Sequence, residues 1–499
     1  MSGLLAAPII VPFAVAALSL PGGRRPHFQS AAALLGAAAH LALGAMLLQR
    51  VHHHGIAVLN VGNWPAPFGI ALVADHLSAL MVLVTGVVYG AVCLYSRAEI
   101  GADCLQRGYY PLLHILVGGI SGAFLTGDLF NLYVWFEVML MASFALLVLG
   151  RTRAQLAGGL TYVVINLIST LLFLAALGLI YAMTGTLNMA HLHLKLRATA
   201  DLGQVAAVSV LFLTAFGIKA GLFPLFFWLP ASYHTPPVAV SAIFSGLLTK
   251  VGVYALIRTF TLLFPLDGSG LQNLVLSAAA LTMVTGVLGA AAHSEVRRIL
   301  SFHIISQVGY MVLGLGLLTP LALAGAVFYL LHHIVVKANL FLISGLTRQW
   351  GGSFALAELG GLYRTRWFGA LLFFIPAFSL AGFPPLSGFW AKMILIRASL
   401  DAGHFVLAGV AALVGLLTVY SMTKIWNEAF WKPKAAATPP PADGLSRVSA
   451  WMLAPVAALA ALTVLIGLAP EQLFQMARLA AEELLDPSAY VHSVLGSVR

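Results

Sequence analysis

Four of the eight lysines, Lys219, Lys250, Lys337 and Lys392, fall inside apolar runs long enough to cross a bilayer, and Glu137 falls inside another. A charge held at the bilayer centre costs roughly 2.5–3.5 kcal/mol on insertion scales. Ammonium and carboxylate groups are also the side chains that take up and release protons, and loss of water makes their charged forms expensive. Five such groups in one chain point to ion or proton movement through the protein interior. Glu137 is the natural partner of Lys219, and a pair that opens and closes makes a gated proton-binding group. The plainer alternative is a static buried salt bridge, but such bridges are often no more stabilising than apolar replacements.

Histidines extend the set. The run YLLHHIVVKANLF holds His332, His333 and Lys337, with His333 and Lys337 on one helical face. SFHIISQVGYM holds His303, Ser306 and Gln307, polar groups about one turn apart that suit a file of waters. His234, in WLPASYHTPP, stands at the end of a span, where an imidazole titrating near neutrality can pass protons in from the cytoplasm. The order Glu137, Lys219, Lys250, His332/His333/Lys337, Lys392 makes a lateral relay at mid-membrane depth. No metal site is expected, because adjacent histidines on a helix cannot easily grip one ion and no carboxylate or cysteine accompanies them. His52, His53 and His54 read as a solvated loop, Asp75 and His76 as the outer end of a span, and Asp128 as a helix cap. Cys93 and Cys104 lack metal-binding neighbours and are not expected to pair. Without a Walker motif, dinucleotide fingerprint, CxxCH or iron–sulfur cysteine set, the chain is expected to carry no cofactor.

The elements that must position these groups are apolar spans. Of 499 residues, 61% are hydrophobic and 8% charged, against about 25% charged in a soluble domain. The apolar runs are continuous rather than alternating, which excludes a β-barrel. The expected fold is all-α and polytopic, with about fourteen transmembrane helices. The first span, 3–20, has no basic residue before it and Arg24 and Arg25 after it, so it reads as a retained helix with its N-terminus outside. That count places fifteen of the 26 basic residues, from Arg24 and Arg25 to Lys434 and Arg447, in alternate loops facing the cytoplasm. It puts both termini outside, and it explains the net charge of +10 without nucleic acid.

Two spans are broken by proline. The seventh, 204–229, has Pro224 five residues after Lys219, and the twelfth, 367–399, has Pro384 and Pro385 before Lys392. Proline removes a donor and clashes with the preceding turn, so each should split into half-helices. The breaks lie an odd number of spans apart, which signals two inverted five-helix repeats. The domain reading is then 1–108 for three N-terminal spans, 109–264 and 265–430 for the repeats, and 431–499 for a linker, the last span and an amphipathic tail. Lys432–Ser446 is Pro- and Ala-rich and reads as a flexible cytoplasmic linker. The tail is expected at the outer surface or against a neighbouring subunit.

The segments TGDLFNLYVWFEVML, FGIKAGLFPLFFWLPASYHTPPVAVSAIFSGLLTKVGVYALIR and LSGFWAK closely resemble the antiporter-like subunits shared by Mrp-type cation/proton antiporters and complex I. The likeness runs over nearly the whole chain, and GNWPAPFGIALVADHLSALM and TGTLNMAHL are typical of the Mrp side. It implies that Glu137, Lys219, Lys250, Lys337 and Lys392 match the proton-relay positions of that family. It further implies a secondary transporter subunit rather than an enzyme, working with other membrane subunits in a bacterial inner membrane, with protons and Na⁺ as the transported ions. The alternative it leaves is a proton-pumping subunit of complex I or of a membrane-bound hydrogenase-type oxidoreductase.

Overall fold

Eleven helices among the described residues are long and apolar enough to cross a membrane, and three shorter apolar helices, Gly3–Ser19, Tyr109–Leu125 and Trp367–Ala381, accompany them. The computed structural model describes residues 3–20, 25–198, 202–264, 266, 270–433 and 448–496. Arg24, Arg447 and the expected linker from Lys434 onward lie outside the described residues. Three helices form the centre. Pro320–Gly351 is buried along its whole apolar window, and Val238–Leu262 and Val296–Leu317 over 94% of theirs. Pro26–His54 and Phe405–Trp431 are buried over only 33% and form the rim. Rim helices turn leucines such as Leu160, Leu171 and Leu416 outward, as a lipid-facing surface requires. The central helices carry His303, His332, His333, Lys250 and Lys337 inward, where all five are buried.

Helix starts follow local chemistry. Asp128 accepts from Asn131 N–H at 2.8 Å and begins Leu129–Leu147, as its expected capping role requires. Thr152 and Gln155 form a capping box at the head of Arg153–Thr184. Pro26–His54 and His76–Glu99 approach so closely that side chains at Gly44 and Gly86 would strike the Leu83 and Leu41 backbones, the small-residue contact typical of membrane helix pairs.

One end of the bundle is basic. Arg107 donates to Leu149 O, Arg297 to Pro236 O, and Lys424 to Ala291 O and His293 O, tying successive loops together. The opposite end carries a feature the sequence did not announce. Residues Ala71–Ala74 form a strand antiparallel to Ala57–Asn60, with Ala57 opposite Ala74 and Asn60 opposite Ala71. The span begins only at His76, where Asp75 caps it by accepting from Ser78 N–H at 2.9 Å. A short apolar run does not by itself distinguish strand from helix. The run His52–His54 is exposed, as expected, but it ends the helix Pro26–His54 rather than lying in a loop.

The tail forms helices Pro470–Leu485 and Ser488–Leu495. Its small face, with Ala477, Ala480, Ala481 and Leu484 buried, packs on the chain's own central helix Pro320–Gly351. Glu483 accepts from His76 N–H at 3.0 Å and meets its Nδ1 at 2.7 Å, which pins the tail to the hairpin end.

Candidate functional site

Both proline-marked spans break, and they break alike. Leu202–Ala220 ends at Gly221 with φ +80°, and Trp367–Ala381 ends at Gly382 with φ +91°. Gly221 N–H donates to Gly217 O and Ile218 O, and Leu222 N–H to Gly217 O. Gly382 N–H donates to Phe378 O and Ser379 O, and Phe383 N–H to Phe378 O. These closures satisfy the last helical carbonyls and need a residue that tolerates positive φ. The chain restarts as Trp228–Ser232 after one break and as Ser387–Asp401 after the other. Lys219 stands before its break and Lys392 after its own. Lys392 reaches back to donate from Nζ to Ala381 O at 3.1 Å, with the Tyr310 ring 5.1 Å from Nζ.

At Lys219 the expected partner is present but not in contact. Among the described residues no ion pair joins Lys219 to Glu137. Thr170 stands between them: its hydroxyl donates to Glu137 Oε1 at 2.8 Å and accepts from Lys219 Nζ at 3.3 Å. Lys219 Nζ also faces Asn166 O at 3.5 Å and the Phe136 ring at 5.4 Å. Lys219 is buried, whereas Glu137 is only half-buried on the rim of the chain. Beside Nζ lies a cavity of about 20 Å³ lined by Asn166, Tyr162, Trp228, Tyr233 and Leu248, enough for one water. Tyr233 has a buried hydroxyl without a protein partner there. Leu248 belongs to the neighbouring Lys250 helix, which lies close because a side chain at Gly252 would sit 2.6 Å from Ala220 N.

From Lys250 to Lys392 the predicted groups do come together. A π-helical turn, Phe244–Leu248, ends two residues before Lys250, a distortion that recurs at functional sites. Lys250 Nζ donates to Ser245 O and to Thr249 Oγ1, the latter at 3.2 Å. Lys337 Nζ donates to Leu300 O at 2.8 Å. His333 lies within electrostatic reach of Lys250, Lys337, His332 and His303, and His303 within reach of Lys337 and Lys392. His332 Nδ1 bonds Ser387 Oγ at 2.7 Å, and Ser387 bonds Ser379 Oγ at 3.0 Å, which carries the series into the second break. His303 Nε2 bonds Ser421 Oγ at 2.7 Å, while Gln307 accepts from the Tyr329 hydroxyl. Both ring nitrogens of His333, Nδ1 of His303 and Nε2 of Gln307 are buried without a protein partner, a situation ordinarily completed by water. Lys250 and Lys337 lie mid-helix and Lys219 and Lys392 at breaks within spans, so the series runs across the bundle.

His234 lines an open depression at the basic end, with His293, Glu295, Arg297 and Arg298. Its Nδ1–H donates to Pro230 O at 2.9 Å, and its Nε2 accepts from Arg298 Nε at 3.2 Å. Burial, then the Arg298 and Arg297 guanidiniums, bring this imidazole down to about 4. At neutral pH it is an uncharged group with both nitrogens engaged. At the opposite end Asp75 lies 2.5 Å from Arg258, both buried, so its carboxylate is already neutralised.

Sequence reading missed Thr170, Asn166 and Tyr233. A signal for the first two exists: Asn166, Ser169 and Thr170 form a polar stripe at helical spacing in an otherwise apolar span. No signal exists for Ser245 O, Leu300 O and Ala381 O, because every residue carries a carbonyl. Among the described residues no group of three His, Cys, Asp or Glu side chains is arranged to hold a metal.

Residues 126–418, which contain all five predicted relay charges, match the family described as NADH:quinone oxidoreductase/Mrp antiporter, TM. The chain is 46% identical over 496 residues to the D-type subunit of the Na(+)/H(+) antiporter of Alkalihalophilus pseudofirmus, covering 99% of this chain and 100% of that one. It is 41% identical over 468 residues to the corresponding Na(+)/H(+) antiporter chain of Bacillus subtilis, covering 94% and 93%. Among solved structures it matches a chain of the Mrp complex from Dietzia sp. with TM-score 0.92 and 34% identity, over 99% and 100% of the two chains. It matches a chain of respiratory complex I from Thermus thermophilus with TM-score 0.81 and 25% identity, over 97% and 99%.

Proposed function

The chain belongs to the NADH:quinone oxidoreductase/Mrp antiporter transmembrane family, and from that premise we propose that it is the D-type, proton-translocating subunit of a multisubunit Na⁺/H⁺ antiporter driven by proton-motive force. The observation that carries this reading is the Thr170 hydroxyl between Glu137 and Lys219, at the head of a buried basic series that ends at Lys392. The eleven spans and three shorter apolar helices support fourteen crossings. The matched breaks at Gly221 and Gly382 support two inverted five-helix repeats, 109–264 and 265–430, between the flanking segments 1–108 and 431–499. The arginines gathered at one end support an orientation with that end in the cytoplasm and both termini outside, and the bacterial relatives support a bacterial inner (plasma) membrane.

Protons then move by short exchanges between fixed groups. Through the Thr170 hydroxyl the Glu137 and Lys219 charges stand no more than ~6 Å apart, an attraction of about 3 kcal/mol at an effective dielectric of ~20. A coupling of that size is within the 1–3 kcal/mol range over which one site ordinarily controls another. With the bridge closed, Lys219 holds its proton. When Lys219 Nζ turns into the adjacent cavity, the ammonium leaves the carboxylate and meets the space shared with Tyr233 and the Lys250 helix. The ammonium there gives a proton to cavity water, and an uncharged Lys250 amine takes one up. Lys250 and Lys337 lie within electrostatic reach of each other, so a proton arriving at one favours loss of a proton from the other by like-charge repulsion. His333, His303 and His332 offer lone pairs along the way, and Lys392 ends the series.

A place in a redox-driven complex is the second reading, supported by the match to complex I. The 46% identity to an antiporter chain, against 25% to the complex I chain, favours the first. The test uses membrane vesicles containing the whole complex. Glu137→Gln or Lys219→Ala should each lower Na⁺-dependent proton flux more than about tenfold with assembly intact. Wild-type flux in both variants would remove the basis of this reading.

A further inference from the structure

The Lys250 helix, Val238–Leu262, is fastened near both of its ends by carboxylates that belong to one neighbouring helix. That neighbour, His76–Glu99, has Asp75 as its N-cap and Glu99 as its last residue. At the basic end Glu99 takes the first N–H groups of the Lys250 helix. Its Oε1 accepts from Val238 N–H at 2.5 Å and its Oε2 from Ala239 N–H at 2.8 Å. These buried donors need an outside acceptor, because the N-cap residue, Pro237, has no side chain that can accept. A carboxylate also suits the positive end of a helix.

At the opposite end Asp75 Oδ2 lies 2.5 Å from Arg258 Nη2, while its Oδ1 accepts from Ser78 N–H at 2.9 Å and Ser78 Oγ–H at 2.8 Å. Ser78 Oγ lies 3.1 Å from the Tyr254 hydroxyl, which donates to Phe124 O at 2.7 Å. Lys250, Tyr254 and Arg258 follow one another at four-residue spacing and so share one side of the helix. Holding Tyr254 and Arg258 therefore sets the rotation at which Lys250 is presented. Between the two fastenings lies the π-turn Phe244–Leu248. Its last residue, Leu248, lines the cavity beside Lys219, and a side chain at Gly246 would lie 3.5 Å from Ile334 O on the Lys337 helix. With both ends held, the helix cannot turn as a rod. A π-turn holds one extra residue, and its passage along a helix rotates each residue it crosses by about 100°. The π-turn is then the one compliant stretch that can alter the setting of Lys250.

We propose that Asp75 and Glu99 are paired positioning residues for proton transfer, which fix the two ends of the Lys250 helix so that Lys250 is held between the Lys219 cavity and Lys337. The proposal rests on the proton-translocating reading above. Neither carboxylate exchanges protons with the series. The charged and titratable groups facing them are Arg297, Arg348, Tyr95 and Tyr109 at Glu99 and Arg258, Tyr254, Tyr490 and His76 at Asp75, while Lys337 and His333 face Lys250.

The test uses the complete complex in proteoliposomes. Asp75→Asn and Glu99→Gln keep side-chain shape and remove the charge. Each should lower maximal Na⁺-driven proton flux about tenfold and leave the half-saturating Na⁺ concentration unchanged. Each should also move the pH of half-maximal flux by about half a unit or more, because a turned Lys250 meets different surroundings. Fewer intact complexes would instead lower flux by one factor at every pH and leave the normalised profile in place. Arg258→Lys, which keeps a cation opposite Asp75, should recover most of the flux that Arg258→Gln loses. Thr463→Val, which deletes a buried hydroxyl bonded only within its own helix, should change none of these quantities. Should Asp75→Asn fail to assemble, Tyr254→Phe carries the test at that end. Unchanged flux at either end overturns the proposal, and so does reduced flux with an unmoved pH profile. Lys219→Ala measured alongside separates the two ideas: loss of flux there with wild-type behaviour of Asp75→Asn and Glu99→Gln sinks only the positioning role.

Discussion

Thr170 shows how a neutral side chain can govern two charged ones. Its hydroxyl is hydrogen-bonded to both Glu137 and Lys219. Thr170→Val keeps the shape and removes the oxygen, so flux should fall about tenfold, while Thr170→Ser should recover most of it; proton flux in vesicles measures both. If valine at this position works as well as threonine, the bridge is structural. His234 makes a different expectation. An unfolded imidazole titrates near ~6.5, and the folded one near about 4. Between those values the unfolded chain binds a proton that the folded chain refuses. His234 therefore favours the fold above the window, and that contribution is lost as pH falls from about 6.5 towards about 4. His234→Gln should flatten this part of the stability profile, read as the thermal midpoint of the purified complex at about pH 5 against about pH 7.

The two breaks dominate at the scale of elements. Gly382 combines a φ of +91° with a position where a β-carbon would lie 2.9 Å from Lys392 Cδ. Gly382→Ala therefore adds backbone strain of about 1–3 kcal/mol and displaces the lysine from Ala381 O. Gly403, at φ +76° with open space around it, provides the comparison. Gly403→Ala should carry similar strain and leave flux intact, whereas Gly382→Ala should lose flux; thermal unfolding and transport read the two effects separately. The breaks were legible in sequence because Pro224, Pro384 and Pro385 cannot supply helical donors. The buried lysines were legible because an ionisable residue in an apolar run has few innocent explanations. The hairpin was not, since Ala71–Ala74 reads as the start of the helix that follows it. Nor was the tail's docking on Pro320–Gly351, because an amphipathic face states that it must be covered and not by what. The site was half legible: side chains that carry charge stand out, while the carbonyls and the single hydroxyl that hold them do not.

For the whole molecule the two ends of the series differ in exposure. Lys392 is buried, but Glu137 stands half-buried on the rim. In lipid an ionisable group at such a place is expensive, and a neighbouring subunit is the cover consistent with the proposed assembly. The chain reconstituted alone should give no Na⁺/H⁺ exchange above empty liposomes, and robust exchange would show that it holds a complete cation path. The sideways course of the lysine series has an electrical consequence. In the proposed relay a proton passed from Lys219 to Lys392 moves between groups that all lie within spans, across the bundle rather than along it, so it crosses little of the membrane potential. One charge carried through the full thickness at 100 mV exchanges about 2.3 kcal/mol with the field, and that work falls on the vertical legs that load and empty the series. The horizontal arm is close to an equipotential conductor: the voltage sets how often its ends are occupied and leaves the hops between them alone.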